Sequence, residues 1–125
     1  MKRALILIPT IGKTDRQIDR SKQACLKYTA VHNLEPVEII QEMLDDEFAA
    51  LSSQIHFSYP MYQLSYAVKV MSSCDSVIFG KGWENLLGYK MAHAVAVAYG
   101  LEVYYEEKIE NERSQHHENQ KAQCH

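Results

Sequence analysis

The sequence predicts one α/β domain, a small Rossmann-like or flavodoxin-like three-layer sandwich built on a mainly parallel sheet of four to five strands. Short apolar runs alternate with longer segments of helical periodicity along residues 1–107, and no internal repeat or interdomain linker interrupts them. A chain of 125 residues is also long enough for one domain with a buried core. Residues 108–125 are almost entirely polar and are expected to form a tail or a solvated helix.

The first half of the domain is predicted as strand, helix, strand. Residues 3–9 are a compact aliphatic run, which suits a strand covered on both faces. Asp15 is the expected N-cap of a helix that ends near Asn33, a residue that can close a helix in the left-handed conformation. Residues 36–40 form the second strand. Residues 42–55 fit a helical period only imperfectly.

The second half is predicted to contain two further helices and two further strands. Pro60 suits the first turn of a helix. Residues 76–79 form the third strand, residues 85–99 another helix that Gly100 ends, and residues 101–105 the last strand. The side chains of the helix at 85–99 that are expected to face the core are Leu87, Met91, Ala94, Val95 and Ala98.

Composition and charge exclude several function classes. A net charge of −3 without a long basic block argues against polynucleotide binding. No segment approaches the roughly 20 apolar residues of a membrane span, and the apolar run at 4–9 is shorter than the core of a signal peptide. Three cysteines without CxxC spacing predict neither a disulfide framework nor a zinc site. We therefore expect a protein of the cytoplasm, or of the host cytoplasm if the source is viral.

Three loops are expected to meet at the carboxyl ends of the strands, where parallel sheets bind ligands: residues 9–15, the region after Ile40, and residues 80–85. The last of these is a Gly-x-Gly turn that leads into a helix, an arrangement that favours phosphate or ribose oxygens. The predicted ligand-binding residues are Pro9, Thr10, Gly12, Lys13, Arg16, Tyr59, Gly80, Lys81, Gly82, Trp83, Asn85 and Gly88.

Several of these side chains admit two interpretations. Trp83 suits stacking on a base or forming a pocket wall, but a lone tryptophan is also common in cores. Lys13 and Arg16 could meet a phosphate or could be ordinary surface cations. Glu84 is the candidate catalytic carboxylate, although a first-turn glutamate also complements a helix dipole. Four tyrosines could line a base pocket or could cover the sheet or a subunit contact: Tyr59 and Tyr62 beside Pro60, and Tyr104 and Tyr105 at the end of the last strand.

No metal or cofactor is predicted. The residues that could ligate a metal, His116, His117, Cys124 and His125, lie in the polar tail, which lacks the apolar support that a packed metal site requires. His93 is interpreted as an ordinary residue on a helix face, because no cysteine or serine partner is evident.

The stretch from residue 74 to 104, CDSVIFGKGWENLLGYKMAHAVAVAYGLEVY, resembles the C-terminal half of the nucleoside 2-deoxyribosyltransferase-like proteins, in particular their small uncharacterised branch. The resemblance implies a Rossmann-like subunit that binds a nucleoside or nucleotide within a homo-oligomer. In active members a glutamate on the helix attacks the anomeric carbon. The residues that fall on the family pattern are Asp75, Gly82, Trp83, Gly88 and Gly100.

This sequence departs from the family at the catalytic position. Ala92 stands where the nucleophilic glutamate would fall, Tyr89 replaces a small residue, and Leu86 replaces a serine. An alanine cannot act as nucleophile, acid or base. The resemblance therefore implies a pseudoenzyme that binds a nucleotide or nucleoside derivative without turnover. It could sense or sequester a nucleotide signal, such as an ADP-ribose-type or cyclic nucleotide, in the manner of a viral nucleotide sponge.

Two alternatives to this function remain open. One is a nucleoside 2-deoxyribosyltransferase or N-glycoside hydrolase that uses a relocated carboxylate such as Glu84. The other is a purely structural oligomer. A homo-oligomer is expected in any case, because the helix at 85–99 is apolar on more than one face and a partner subunit would cover the second. The apolar residues outside its main stripe are Leu86, Ala96 and Val97.

Overall fold

The structure is a computed structural model, and it describes residues 1–41 and 59–109. The predicted helix at 42–55 therefore lies outside the described residues. Residues 106–109 are helical. The elements in chain order are β1 (Lys2–Ile8), α1 (Asp15–Val31), β2 (Leu34–Gln41), α2 (Tyr59–Met71), β3 (Ser76–Phe79), a 3₁₀ turn (Trp83–Asn85), α3 (Leu87–Ala98) and β4 (Glu102–Tyr105).

The sheet confirms the predicted fold class. Its four strands are all parallel and lie in the order β2-β1-β3-β4. The chain runs from β1 out to β2 and then returns past β1 to β3, so the direction of winding reverses between β1 and β3. In open parallel sheets, the crevice outside the carboxyl ends at such a reversal is the usual ligand site.

Two packed layers enclose the sheet, because successive side chains of a strand point to opposite faces. Leu5 and Leu7 of β1 face α2 and α3, whereas Ile6 and Ile8 face α1. The α1 layer also contains Ile109, which anchors the short helix at 106–109. Residues 4–8 of β1 and all of β3 are buried, which explains why these segments are apolar apart from Ser76.

The ends of the elements test the predicted caps. The N-cap of α1 is Thr14, so the prediction of Asp15 is wrong. The amide of Gln17 donates to Thr14 Oγ1 at 3.2 Å, and the amide of Thr14 donates to Gln17 Oε1 at 2.9 Å, which forms a capping box. Asn33 adopts a left-handed conformation with φ of 56°, and Gly100 one with φ of 75°, as predicted. None of the helices in the described ranges is long and apolar enough to cross a membrane.

The helix α3 begins later than predicted and presents the opposite face to the core. Residues 83–85 form a separate 3₁₀ turn, and α3 starts at Leu87. Leu87 is 72% exposed and Met91 is 47% exposed, so the predicted core stripe largely faces outward. The buried residues of α3 are Tyr89, Ala92 and Ala96. Small alanine side chains let the helix pack closely on the sheet, and periodicity alone does not select between two apolar stripes.

Candidate ligand-binding site

The two loops at the reversal between β1 and β3 contact each other directly. The amide of Gly80 donates to the Leu7 carbonyl at 2.8 Å, and a Cβ atom on Gly80 would lie only 3.0 Å from Cδ of Pro9. Lys13 Nζ donates a hydrogen bond to the carbonyl oxygen of Lys81. The predicted convergence of these loops is therefore confirmed, with Lys13 joining the two loops rather than extending into solvent.

The space beneath these loops is filled by Tyr89. Its ring is buried, and its hydroxyl donates to the carbonyl oxygen of Ile8 at 3.1 Å. Ala92, one helical turn further along α3, is only 1% exposed. The cavity that remains between α2, α3 and the sheet has a volume of about 10 Å³. That volume is close to what one water molecule needs, so a nucleoside does not fit there.

An open cavity of about 230 Å³ lies closer to the β4 edge of the sheet, at the carboxyl ends of β3 and β4. Its aromatic residues are Phe79, Trp83 and Tyr105. Its charged residues are Lys81, Glu84, Glu106, Glu107 and Lys108.

Another cavity, of about 250 Å³, lies between β2 and α2, and Glu38 is the single charged residue that lines it within the described parts of the chain. That carboxylate already accepts a hydrogen bond from the Tyr66 hydroxyl. The cavity at β3 and β4 is therefore the better candidate for a polar ligand.

Trp83 forms one wall of the candidate cavity and is held by three other rings. Its ring stacks on His93 with centroids 4.4 Å apart and an interplanar angle of 26°. Tyr105 lies nearly parallel to it at 5.7 Å, and Phe79 is tilted at 5.1 Å. Trp83 is thus both packed against the core and part of the cavity lining, and its stacking on a base stays a prediction.

His93 supports this wall from α3. Its Nε2 lies 2.5 Å from the hydroxyl of Tyr105, within hydrogen-bonding distance. Burial lowers the pKa of His93 below its usual 6.5. The imidazole is therefore neutral at pH 7 and behaves as a packing ring with one hydrogen bond.

The charged residues of the cavity differ sharply in burial. Glu84 and Glu107 are exposed, whereas Glu106 is only 3% exposed. The Oε1 atom of Glu106 is buried and has no hydrogen-bond partner among the described residues. Lys108 Nζ lies 5.2 Å from the centroid of the Tyr105 ring, so a cation lies next to the aromatic residues of the cavity.

Only some of the predicted site residues line this cavity. Lys81 and Trp83 do, together with the candidate carboxylate Glu84. Gly88 instead borders the small space under Tyr89. The side chain of Tyr59 and the region beyond Gln41 lie outside the described residues. The predicted residues that the structure places outside the lining of this cavity are Pro9, Thr10, Gly12, Lys13, Arg16, Gly80, Gly82 and Asn85. Of these, Arg16 lies in the first turn of α1.

The residues that sequence analysis missed follow the last strand. Glu106, Glu107 and Lys108 come directly after β4 and line the cavity. The rule that ligands bind outside the carboxyl ends of strands applies to β4 as well as to β3 and would have selected them. His93 was missed because its ring partner Trp83 lies ten positions earlier in the chain, on another element.

In the parts of the chain that the structure describes, no group of three or more His, Cys, Asp or Glu residues is placed to hold a metal ion. The histidines and the cysteine of the tail lie outside those parts. Comparisons with protein-family models, with curated proteins and with solved structures gave no match. The function is therefore inferred from the residues that line the cavity.

Proposed function

We propose that the protein binds a small nucleotide or nucleoside derivative, without turnover, in the cavity at the carboxyl ends of β3 and β4. The observation that carries this proposal is the combination of an aromatic wall and two cations in one cavity. Trp83 supplies the wall, and Lys81 and Lys108 supply the positive charge. Few classes of small molecule need both a flat apolar surface and cationic groups, and nucleotides are one of them.

The dimensions favour partial enclosure of such a ligand. A volume of about 230 Å³ lies below the roughly 300–1,000 Å³ that is typical of pockets for drug-sized molecules. The cavity can therefore surround a base while sugar and phosphate reach its rim. Stacking of a base on an aromatic side chain contributes about 1–3 kcal/mol. Lysine ammonium groups provide compact charges for phosphate oxygens.

The proposal that turnover is absent is supported by the resemblance, which implies that the family's nucleophile falls at Ala92. Ala92 carries no reactive group, lies in the core and does not line the cavity beside Trp83. We also propose the specific role of holding a nucleotide signal, of the ADP-ribose or cyclic type, for sequestration or sensing.

An N-glycosyl transferase or hydrolase is the second candidate, because Glu84 lines the same cavity as Trp83. Glu84→Gln separates the two functions. An enzyme would lose turnover and keep its affinity, whereas a binding protein has no turnover to lose.

A retention experiment tests the binding function. The purified protein is mixed with nucleosides, nucleotides, cyclic nucleotides and ADP-ribose-type molecules, separated from free ligand, denatured, and analysed by mass spectrometry. We expect one class of ligand to be released intact, without new species in the filtrate. Free base or exchanged nucleosides would establish an enzyme instead, and retention of nothing would overturn the proposal.

Trp83→Ala links that ligand to this cavity. We expect its affinity to fall by about 10- to 100-fold, in line with the loss of one stacking contact. Because Trp83 also packs on Phe79 and His93, the variant will be less stable, and affinity is to be measured well below its unfolding temperature. Tyr99→Ala, which removes an exposed ring away from the cavity, is the matched control. Equal affinity of the two variants would place the ligand elsewhere.

We further propose that the protein forms a homo-oligomer through the outward face of α3. Leu87 and Met91 are exposed there, and Lys90 is the one charged residue in the helix. Helix α2 packs beside α3 and exposes Met61 and Tyr62, which extends the apolar surface. A second copy would present the same apolar surface, so two copies can cover each other. Light scattering that gives a mass of 14.4 kDa at all concentrations would contradict this proposal.

A further inference from the structure

The geometry points to Glu106 as the residue that selects the ligand, by accepting a hydrogen bond from an N–H or O–H group that the ligand carries into the cavity. This inference rests on the proposed function and specifies which ligands the site prefers. The group could be the exocyclic amine of a base or a hydroxyl of a ribose, because both donate hydrogen bonds to a carboxyl oxygen.

The first argument is the burial of Glu106. It is 3% exposed, while its neighbour Glu107 is exposed to water. Glutamate is almost never fully buried unless it is paired. Here Oε1 has no partner among the described residues, although Lys81 and Lys108 line the same cavity. A buried acceptor that the surrounding protein leaves unpaired requires a specific explanation.

The second argument is how firmly the residue is held. Glu106 directly follows β4 and begins the helical residues 106–109. Ile109, in the same turn, is buried in the layer that contains Ile8 and Ile78. The backbone of Glu106 is thus fixed between β4 and a packed isoleucine. With the backbone held in this way, the buried Oε1 stays beside the cavity that Glu106 lines.

The two observations together describe a site that is incomplete without a ligand. An unpaired buried acceptor costs free energy in the free protein, and a ligand donor removes that cost on binding. Such a site discriminates strongly against an analogue that lacks the donor, because the acceptor is then left unpaired in the complex.

The test uses two variants and one control. Glu106→Met removes both oxygens from a side chain of similar length, and Glu106→Gln keeps one acceptor in place of two. Glu35→Gln makes the same chemical change on an exposed side chain of β2, away from the cavity.

Thermal unfolding of the ligand-free proteins is measured first. We expect Glu106→Met to unfold about 4–8 °C higher than the unmodified protein, because an unpaired polar group is removed from a buried place. Glu35→Gln should stay within about 1 °C, as an exposed substitution does. A lower unfolding temperature for both Glu106 variants would show that the carboxyl group is already paired and would overturn the inference.

Binding is measured next with three probes: adenosine monophosphate, inosine monophosphate and 2′-deoxyadenosine monophosphate. Inosine lacks the amine of adenosine, and the deoxy form lacks a ribose hydroxyl. We expect one of these two analogues to bind about 10- to 100-fold more weakly than adenosine monophosphate. The weaker analogue identifies the donor. The preference should vanish in Glu106→Met and persist in Glu35→Gln.

The outcomes separate this inference from the proposed function. If the broad nucleotide panel yields a retained ligand but Glu106→Met binds every probe as the unmodified protein does, the inference fails and the proposed function stands. The inference also fails, and the proposed function stands, if a panel ligand is retained but none of the three probes binds. If the panel yields no ligand, the proposed function fails first.

Discussion

Replacing Ala92 by glutamate tests whether this position belongs to a reaction site or to the core. Ala92 is 1% exposed, and the adjoining cavity of about 10 Å³ cannot hold the added side chain. Overpacking of a core costs about 1–3 kcal/mol, and an unpaired buried charge costs about 3–5 kcal/mol. We therefore expect the free energy of unfolding to fall by at least about 4 kcal/mol, a large share of the roughly 5–15 kcal/mol typical of a domain.

Urea denaturation measures this difference, and Ala94→Glu is the matched control. Ala94 lies two positions further along α3 and is exposed, so the same substitution there should change stability by no more than about 0.5 kcal/mol. Equal stability of the two variants would refute the placement of Ala92 in the core. A gain of deoxyribosyl transfer in Ala92→Glu would refute it more strongly, because it would show that position 92 reaches a substrate.

Three further predictions concern α3. Tyr89→Phe removes the hydrogen bond to Ile8 and should lower the free energy of unfolding by about 1 kcal/mol in urea denaturation without changing ligand affinity; a weaker affinity would place the ligand under Tyr89. Because burial lowers the pKa of His93, the unfolded chain binds its proton at higher pH than the folded chain, so stability should fall as pH decreases through 6.5 towards the lower folded pKa. The free energy of unfolding of His93→Gln, measured by urea denaturation, should lack this part of the pH dependence. A pH profile identical to that of the unmodified protein would contradict the prediction. Leu87→Lys should change the free energy of unfolding by no more than about 0.5 kcal/mol and should reduce the mass of the oligomer in light scattering. An unchanged mass would show that this face of α3 is not the oligomer interface.

The sheet could be predicted from the sequence because residues 4–8 of β1 and all of β3 are buried, mostly apolar runs. The segments between the strands are long enough to hold the crossover helices that a parallel sheet requires. Right-handed crossovers then leave few arrangements for a parallel sheet. The cap at Thr14 could have been predicted as well, since Gln17 stands three residues later, where a capping box requires it.

The face of α3 could not be predicted, because the helix is apolar on both sides. The choice depends on how closely α3 packs on the sheet, which Ala92 and Ala96 permit and which Leu87 and Met91 would prevent. Tertiary packing decides such a choice, and hydrophobic period does not.

The candidate site was predicted only in part for a related reason. The strand order places β4 beside β3, so residues after Tyr105 meet the turn at Trp83 across the sheet edge. Those two segments are separated by the whole of α3 in the chain. The unpaired state of Glu106 is a property of its surroundings, which no spacing of residues encodes.

The central claim, that a nucleotide derivative binds beside Trp83, is tested most directly by fluorescence. Trp83 is the single tryptophan of the chain, so its emission reports on this cavity alone. Titration with the ligand that the panel identifies should change the emission along a saturable curve, with the same dissociation constant as an independent thermal-shift titration. A ligand that raises the unfolding temperature while the emission of Trp83 stays constant would contradict the account, because it would bind elsewhere on the protein.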